Sequence, residues 1–345
     1  MIVVNRIKII SPGLLTTIQD RGRWGYQRFG MNVAGVMDDF ASRIANLLVG
    51  NGQYEAVLEV TLLGVEILFH CDEVISITGS NMSPKINGNP VPLWTSLYVK
   101  AGDRLSSSGA INGLRSYIGF SRGLQIPEIM GSKSTFTRGN LGGFEGRKLD
   151  KNDEINLGEK NLLSQGSYLP DLYKPIYSKE QKIRVVLGPQ DDYFQKEAID
   201  VFLNSIYTIT SEADRMGYRL DGPKIEHIDG PDIVSDGIAF GSIQVPGHGS
   251  PIIMMADRQT VGGYTKIATV ITPDLSILGQ MSPGNTIKFQ AITVEESHAI
   301  YKEYEEKFKI ISEFIKNNKF EFREVRQLDL RVNGMNYNVG IREVE

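Results

Sequence analysis

Cysteine is nearly absent from the 345 residues: Cys71 stands alone, which excludes an internal disulfide and any thiolate cage around a metal. Set within an alternating apolar run, it reads as a small buried hydrophobe. Histidine is scarce too. His70, His227, His248 and His298 share no metal-ligand spacing, so no metal site is expected. An excess of positive charge is also missing. With 37 Lys and Arg against 41 Asp and Glu, the net charge is −4, and the basic footprint of a nucleic-acid binder is not there. No apolar run approaches the roughly 20 residues of a membrane helix. The first ten residues carry charges inside their apolar stretch and lack a small-residue cleavage site, so they read as a strand and not a secretion signal. These features place the chain among soluble proteins of a reducing compartment, the cytoplasm, with neither nucleic acid nor membrane as a partner. A Gly-x-Ser-x-Gly elbow, the mark of many serine hydrolases, does not occur.

Glycine, by contrast, is plentiful: 36 residues, about 10% against a usual 7%. The glycines punctuate short β-branched and aromatic runs, among them Val65 to Phe69, Val74 to Thr78, Tyr117 to Phe120, Ile183 to Leu187, Ile252 to Met255 and Lys266 to Ile271. Many short strands in this rhythm favour a mainly β fold of barrels or sandwiches over alternating βαβ units.

Helices are few. Phe40, Ile44, Leu47 and Leu48 fall on one helical face, with Asp38 or Asp39 to cap the start and Gly50 to end it. A second helix is expected from about Asp192 to Asn204, with Phe194, Ala198, Val201 and Phe202 on its apolar face. A third, from about Glu295 to Asn318, carries the stripe Ile300, Tyr304, Phe308, Ile311 and Ile315. From residue 296 onward 19 of 50 residues are charged, 38% against 23% for the whole chain, which marks a C-terminal appendage. It ends in Leu328 to Val332, the turn pair Asn333-Gly334, and Met335 to Val339, a strong hairpin signal.

Two polar, glycine-rich stretches stand out. The first runs from Thr16 through Asp20-Arg-Gly-Arg-Trp-Gly-Tyr26 to Asp38 and Asp39. The second joins Gly241-Ser-Ile-Gln-Val-Pro-Gly247 to Ala256-Asp-Arg-Gln-Thr-Val-Gly-Gly-Tyr264 and Lys266. Asp214-Arg-Met-Gly-Tyr218 echoes the Asp20 segment, two residues shorter. A true repeat would mean two related β domains meeting at one interface, a common place for a ligand. Asp257, Gln259 and Lys266 offer an acceptor, an amide and a cation beside Gly262 and Gly263, where backbone can approach a ligand closely. Such a set suits a planar amide or ureido group; the alternative is a local Asp257–Arg258 pair beside a plain turn. For Asp20 with Arg21 and Asp214 with Arg215 the corresponding alternative is a salt bridge at a β turn.

Gly131-Ser-Lys-Ser-Thr135 looks like a nucleotide loop but fails the Walker pattern, since Pro127 stands where its first glycine should be. The glycines from Gly139 to Gly146, flanked by Arg138 and Arg147, form either an anion-binding set of backbone amides or a tight turn with solvated arginines. No Ala-Met-Lys-Met-like turn is present, so the chain has no biotin attachment site.

Six segments, in order, resemble the biotin-dependent carboxyltransferase family, also called allophanate hydrolase subunit 2, which includes the C subunit of 5-oxoprolinase. They are Gly13 to Gly22, Leu58-Glu-Val-Thr61, Gly131 to Thr135, Asp214 to Leu220, Gly241 to Gly247 and Met255 to Tyr264. The resemblance spans roughly residues 6 to 295. It implies two cyclophilin-like β-barrels with a few short helices, over 1–175 and 176–294, and a helix and hairpin extension over 295–345, with strand exchange between the barrels allowed. It also implies two partners, a kinase-inhibitor-like B subunit and a further A subunit, which together with this chain cleave 5-oxoproline to glutamate at the expense of ATP.

On that reading Lys266 and Arg215 offset negative charge on the lactam oxygen, Gln244 and Gln259 position the ring amide, and Asp257 serves proton transfer or orientation. Arg219, Gly262, Gly263, Tyr264, Asp20 and Asp38 complete the substrate site. Two other functions fit the resemblance: carboxyl transfer from carboxybiotin to a urea-like amide, and a non-catalytic antagonist that binds a kinase inhibitor.

Overall fold

Alternation of apolar and polar residues builds most of the molecule. In strand Arg6–Ser11, Ile7 and Ile9 are buried while Arg6 and Lys8 lie between core and solvent. A computed structural model describes residues 5–159, 166–318, 326–332 and 335–341. The chain is mainly β. Its first half forms a six-stranded and a five-stranded sheet, and residues 180–291 form a closed seven-stranded barrel.

The six-stranded sheet runs in the order Glu154–Asn156, Arg6–Ser11, Glu66–Phe69, Arg104–Ser106, Lys85–Ile86, Asn89–Pro90. The five-stranded sheet runs Leu15–Gln19, Val57–Thr61, Asn112–Phe120, Glu73–Asn81, Ser96–Val99. Between them lies one core, to which the first sheet brings Ile7, Ile67 and Phe69 and the second brings Leu58, Ile75 and Phe120. Cys71 is buried at the edge of this core, as its apolar surroundings suggest.

The central strands of the five-stranded sheet are buried on both faces, and the outer face explains why its residues are small and polar. Helix α1 (Asp39–Leu48) lies across it, and Ser76 Oγ and Thr78 Oγ1 each donate, at 2.7 Å, to the α1 carbonyls of Ala45 and Ala41. Asp38 caps α1, its side chain accepting from Ala41 N at 2.9 Å.

The barrel is closed by strands Glu180–Leu187, Lys266–Val270, Ser242–Gln244, Ile252–Met254, Gly217–Asp221, Ile206–Ile209 and Thr286–Ala291, in that order. A two-stranded ribbon, Asp232–Gly237 with Val261–Tyr264, stands beside it. Helix α2 (Lys196–Asn204) starts later than the periodicity predicts. Asp191–Tyr193 form one 3-10 turn, and Phe194 is extended and bridged to His227, so its ring joins the barrel core from outside the helix.

Helix α3 (Thr272–Leu278), with proline near its start, is too short to show periodicity and is absent from the sequence reading. Helix α4 (Val294–Asn317) opens with a capping box of Thr293 and Glu296. It packs through Phe308, Ile311 and Ile315 into a third core shared with Phe40 and Ile44 of α1 and with Trp94 and Tyr117. Strands Arg326–Val332 and Met335–Ile341 pair as the expected hairpin, whose Asn333-Gly334 turn lies outside the described residues.

Candidate active site

The barrel strands put alternate residues on the outside, and three adjacent strands thereby make a floor. Tyr218 and Leu220 point into the barrel core with Ile243 and Ile253, so Gly217, Arg219, Gln244, Ile252 and Met254 face outward. Over this floor lies a cleft of about 230 Å³. Gln259 and Tyr264 form one wall, and Arg138 and Asp214 close another. Arg138 comes from the 3-10 turn Thr137–Gly139 of the first half, so both halves build the cleft.

Gln244 sits at its base, 2% exposed, and its Nε2 has no hydrogen-bond partner among the described residues. Buried amide donors are nearly always paired, so this one marks a place for an acceptor from outside the chain. Gly262 is why the amide fits. A Cβ there would stand 2.9 Å from Gln244 Nε2 and 2.7 Å from Ile238 Cδ1. Gly263 does not line the cleft, and a Cβ there meets nothing closer than 3.4 Å.

Gln244, Gln259, Arg219 and Tyr264, singled out from the sequence, thus come together in one cleft. Lys266 is adjacent, opposite Gln244 across the barrel ladder. Its ammonium is buried and meets the exposed Asp236 of the ribbon, Nζ to Oδ2, at 2.9 Å. Asp236 carries a carboxyl held below its ordinary range, chiefly by that bond.

Arg215 and Asp257 lie elsewhere, at the junction of the halves. Arg215 donates from Nε to Asp257 Oδ2 at 3.0 Å and from Nη2 to Asp257 Oδ1 at 2.8 Å. Its remaining bonds cross to the first half, to Gly35 O at 2.6 Å and to Glu59 Oε1. Burial disfavours this guanidinium charge, but Asp257 and Glu59 outweigh it and raise the Arg215 pKa. The local alternative is not what forms: Arg258 donates to Ile238 O, and Asp257 pairs with a residue 42 positions away.

Glu59, in an otherwise apolar strand, is missed by the sequence reading. Its Oε2 accepts from Tyr117 OH and from Met37 N, both at 2.8 Å. Asp38 joins the same buried network: Gln280 Nε2 donates to its Oδ2 at 2.8 Å and Tyr177 OH at 3.1 Å. It is therefore placed as a helix cap at the junction, away from the cleft.

Asp20 is engaged in the first half. Its oxygens accept from Gly22 N, Ser132 Oγ, Lys133 N and Ser134 Oγ. Asp214 likewise accepts from Met216 N at 2.8 Å, so the two echoing segments share the same aspartate turn. Neither aspartate bonds the arginine beside it. The Lys133 ammonium goes to Glu55 Oε1 at 2.7 Å and Leu124 O at 3.2 Å, so Gly131–Thr135 spends its donors within the fold and does not make a phosphate cradle. Arg147 binds Asp153 and Glu145, whereas Arg138 reaches Asp214 at the cleft.

What the cleft offers is one buried amide donor, two cationic side chains at the rim, a second glutamine and a tyrosine over an apolar floor, with a buried lysine next to it. That set can orient a small amide by its carbonyl oxygen.

Comparison with known proteins agrees with the fold. Residues 29–291 match the family model described as "Carboxyltransferase domain, subdomain A and B". The chain is 36% identical over 296 residues to the 5-oxoprolinase C subunit of Escherichia coli K12, covering 84% of this chain and 93% of that one. It is 35% identical over 312 residues to urea amidolyase of Saccharomyces cerevisiae, where it spans 17% of the longer protein. The solved urea carboxylase of Kluyveromyces lactis superposes with a TM-score of 0.85 at 31% identity, over 90% of this chain and 29% of that one. The chain belongs to the carboxyltransferase-domain family, subdomains A and B.

Proposed function

We propose that the chain is one component of an ATP-dependent 5-oxoprolinase, acting in the cytoplasm with an A subunit and a kinase-inhibitor-like B subunit. The observation that carries this reading is size. The match to a protein named as a separate C subunit runs over 93% of that protein, whereas in urea amidolyase it covers a small part of a much longer chain. The overall reaction adds one water across the lactam C–N bond, and hydrolysis of ATP to ADP and phosphate accompanies it. In this proposal Gln244 Nε2 donates to the lactam oxygen, and Gln259 and Tyr264 hold the ring. Lys266, released from Asp236, offsets charge on that oxygen. The Arg215–Asp257 pair anchors the segments that carry Arg219 and Gln259, and so acts by positioning.

The test is reconstitution. Glutamate released from 5-oxoproline is measured for the chain with the A and B subunits, with and without ATP, leaving out each component in turn. ATP-dependent release that is lost without this chain supports the proposal; none from a complex shown to be assembled overturns it. Carboxyl transfer from a carrier-borne carboxybiotin to a urea-like amide is the second reading, favoured by the superposition on urea carboxylase. It requires a separate carrier, and transfer of labelled carboxylate to urea by the same mixture would establish it.

A further inference from the structure

The charge at the rim of the Gln244 cleft bears on what kind of amide it takes. Arg138 and Arg219 enter from opposite halves of the molecule and both line the cleft. Each guanidinium is engaged there by an exposed acid. Arg138 Nη2 meets Asp214 Oδ2 at 2.8 Å, with the two side chains 61% and 46% exposed. Arg219 Nε meets Glu212 Oε2 at 3.2 Å, with 52% and 70% exposed. Solvated pairs of this kind hold weakly and exchange readily for another anion. Asp214 needs no arginine to stay in place, because its Oδ1 is held by Met216 N and Gly217 N at 2.8 and 3.1 Å. Glu212 does not line the cleft.

The cleft therefore combines a neutral donor at its base with two displaceable guanidiniums at its mouth. A neutral amide such as urea would use the base and leave the mouth idle. A carboxylate attached to the amide would gain charge-assisted bonds to the planar guanidinium groups. We infer that Arg138 and Arg219 are specificity-determining residues that select an amide bearing its own carboxylate over a neutral one. This inference rests on the proposed lactam reading and assigns to two residues the discrimination which that reading requires.

The experiment compares 5-oxoproline with 2-pyrrolidinone, the same lactam without the carboxylate, as substrates of the assembled complex. Wild type, Arg138→Gln, Arg219→Gln and the double variant are measured. Arg6→Gln, which alters an exposed pair with Glu154 away from the cleft, serves as control. Each cleft variant is expected to raise KM for 5-oxoproline about tenfold, as loss of one charge-assisted bond would, with kcat within about twofold. Turnover of 2-pyrrolidinone should stay level, so the preference for the carboxylated lactam shrinks. An unchanged preference, or an equal loss on both lactams, overturns the inference while leaving the lactam-cleaving reading standing.

A calorimetric titration of the purified full-length chain separates the two failures. Suppose the assembled wild-type complex releases no glutamate. Binding of 5-oxoproline that exceeds binding of 2-pyrrolidinone and urea, and that disappears in the double variant, then supports the anion selection alone. Binding of urea as tight as that of 5-oxoproline overturns it.

Discussion

Arg215 grips Asp257 with two parallel hydrogen bonds, of 3.0 and 2.8 Å, while a third guanidinium nitrogen reaches Glu59 in the other half of the chain. All three side chains are buried. Removing one member leaves an unpaired charge out of water, which costs about 3–5 kcal/mol. Asp257→Ala is therefore expected to lower unfolding free energy by that amount in urea titrations. Replacing the residues together, as Arg215→Met with Asp257→Leu and Glu59→Leu, should cost less than the single change. A single variant as stable as wild type would show that the pair does not hold the halves together.

Asp38 supplies a pH dependence with a definite sign. Burial pushes its carboxyl up to about 6, against the hydrogen bonds from Ala41, Gln280 and Tyr177 that favour the charged form. Between about pH 4 and 6 the folded protein keeps a proton that the unfolded chain releases. Stability from this group is full below that window and is lost as pH rises through it, by on the order of 3 kcal/mol. Asp39 and Glu73, also pushed up by burial, slope the same way, so the informative quantity is the difference between wild type and Asp38→Asn. That difference should change between pH 4 and 6 and be flat above 7. A flat difference throughout would mean that Asp38 is not the titrating group.

The stripe on α4 gives two neighbouring isoleucines opposite fates: Ile311 is fully buried against α1, while Ile310 is 48% exposed. Ile311→Ala should cost about 2–5 kcal/mol as a core truncation. Ile310→Ala should stay within about 0.5 kcal/mol of wild type. Equal effects in chemical denaturation would argue that α4 does not dock where the structure places it.

Periodicity makes α1 and α4 legible, because Ile44 or Phe308 recurs with its neighbours at helical spacing over several turns. Seven residues are too few for that, and only the Thr272-Pro273 start could signal α3. The junction is hidden for a different reason. Adjacent acid and base residues invite a local pairing, yet Arg215 finds partners 42 and 156 residues away, set by where the strands meet. Gln244, Gln259, Arg219 and Tyr264 can be picked out as polar residues among glycines. That the Gln244 amide has no partner, and that Arg138 faces Arg219 across one cleft, depends on the outward faces of three strands and a turn from the other half.

Neighbouring glycines at the ribbon give the sharpest test of the cleft. At Gly262 a Cβ would come within 2.9 Å of Gln244 Nε2 and 2.7 Å of Ile238 Cδ1, so both side chains must move. At Gly263 the nearest atoms are Ile233 O at 3.4 Å and Ser235 Oγ at 3.8 Å, which is ordinary contact. Both lie in strand Val261–Tyr264, so a backbone effect of alanine is shared and the difference isolates the amide. Gly262→Ala should displace Gln244 from its seat, raise KM for the lactam about tenfold in the assembled complex, and cost about 1–3 kcal/mol from crowding. Gly263→Ala should leave both quantities near wild type. If the two variants bind and turn over substrate alike, Gln244 is not the group that takes the carbonyl oxygen, and the cleft has to be read from its arginines alone.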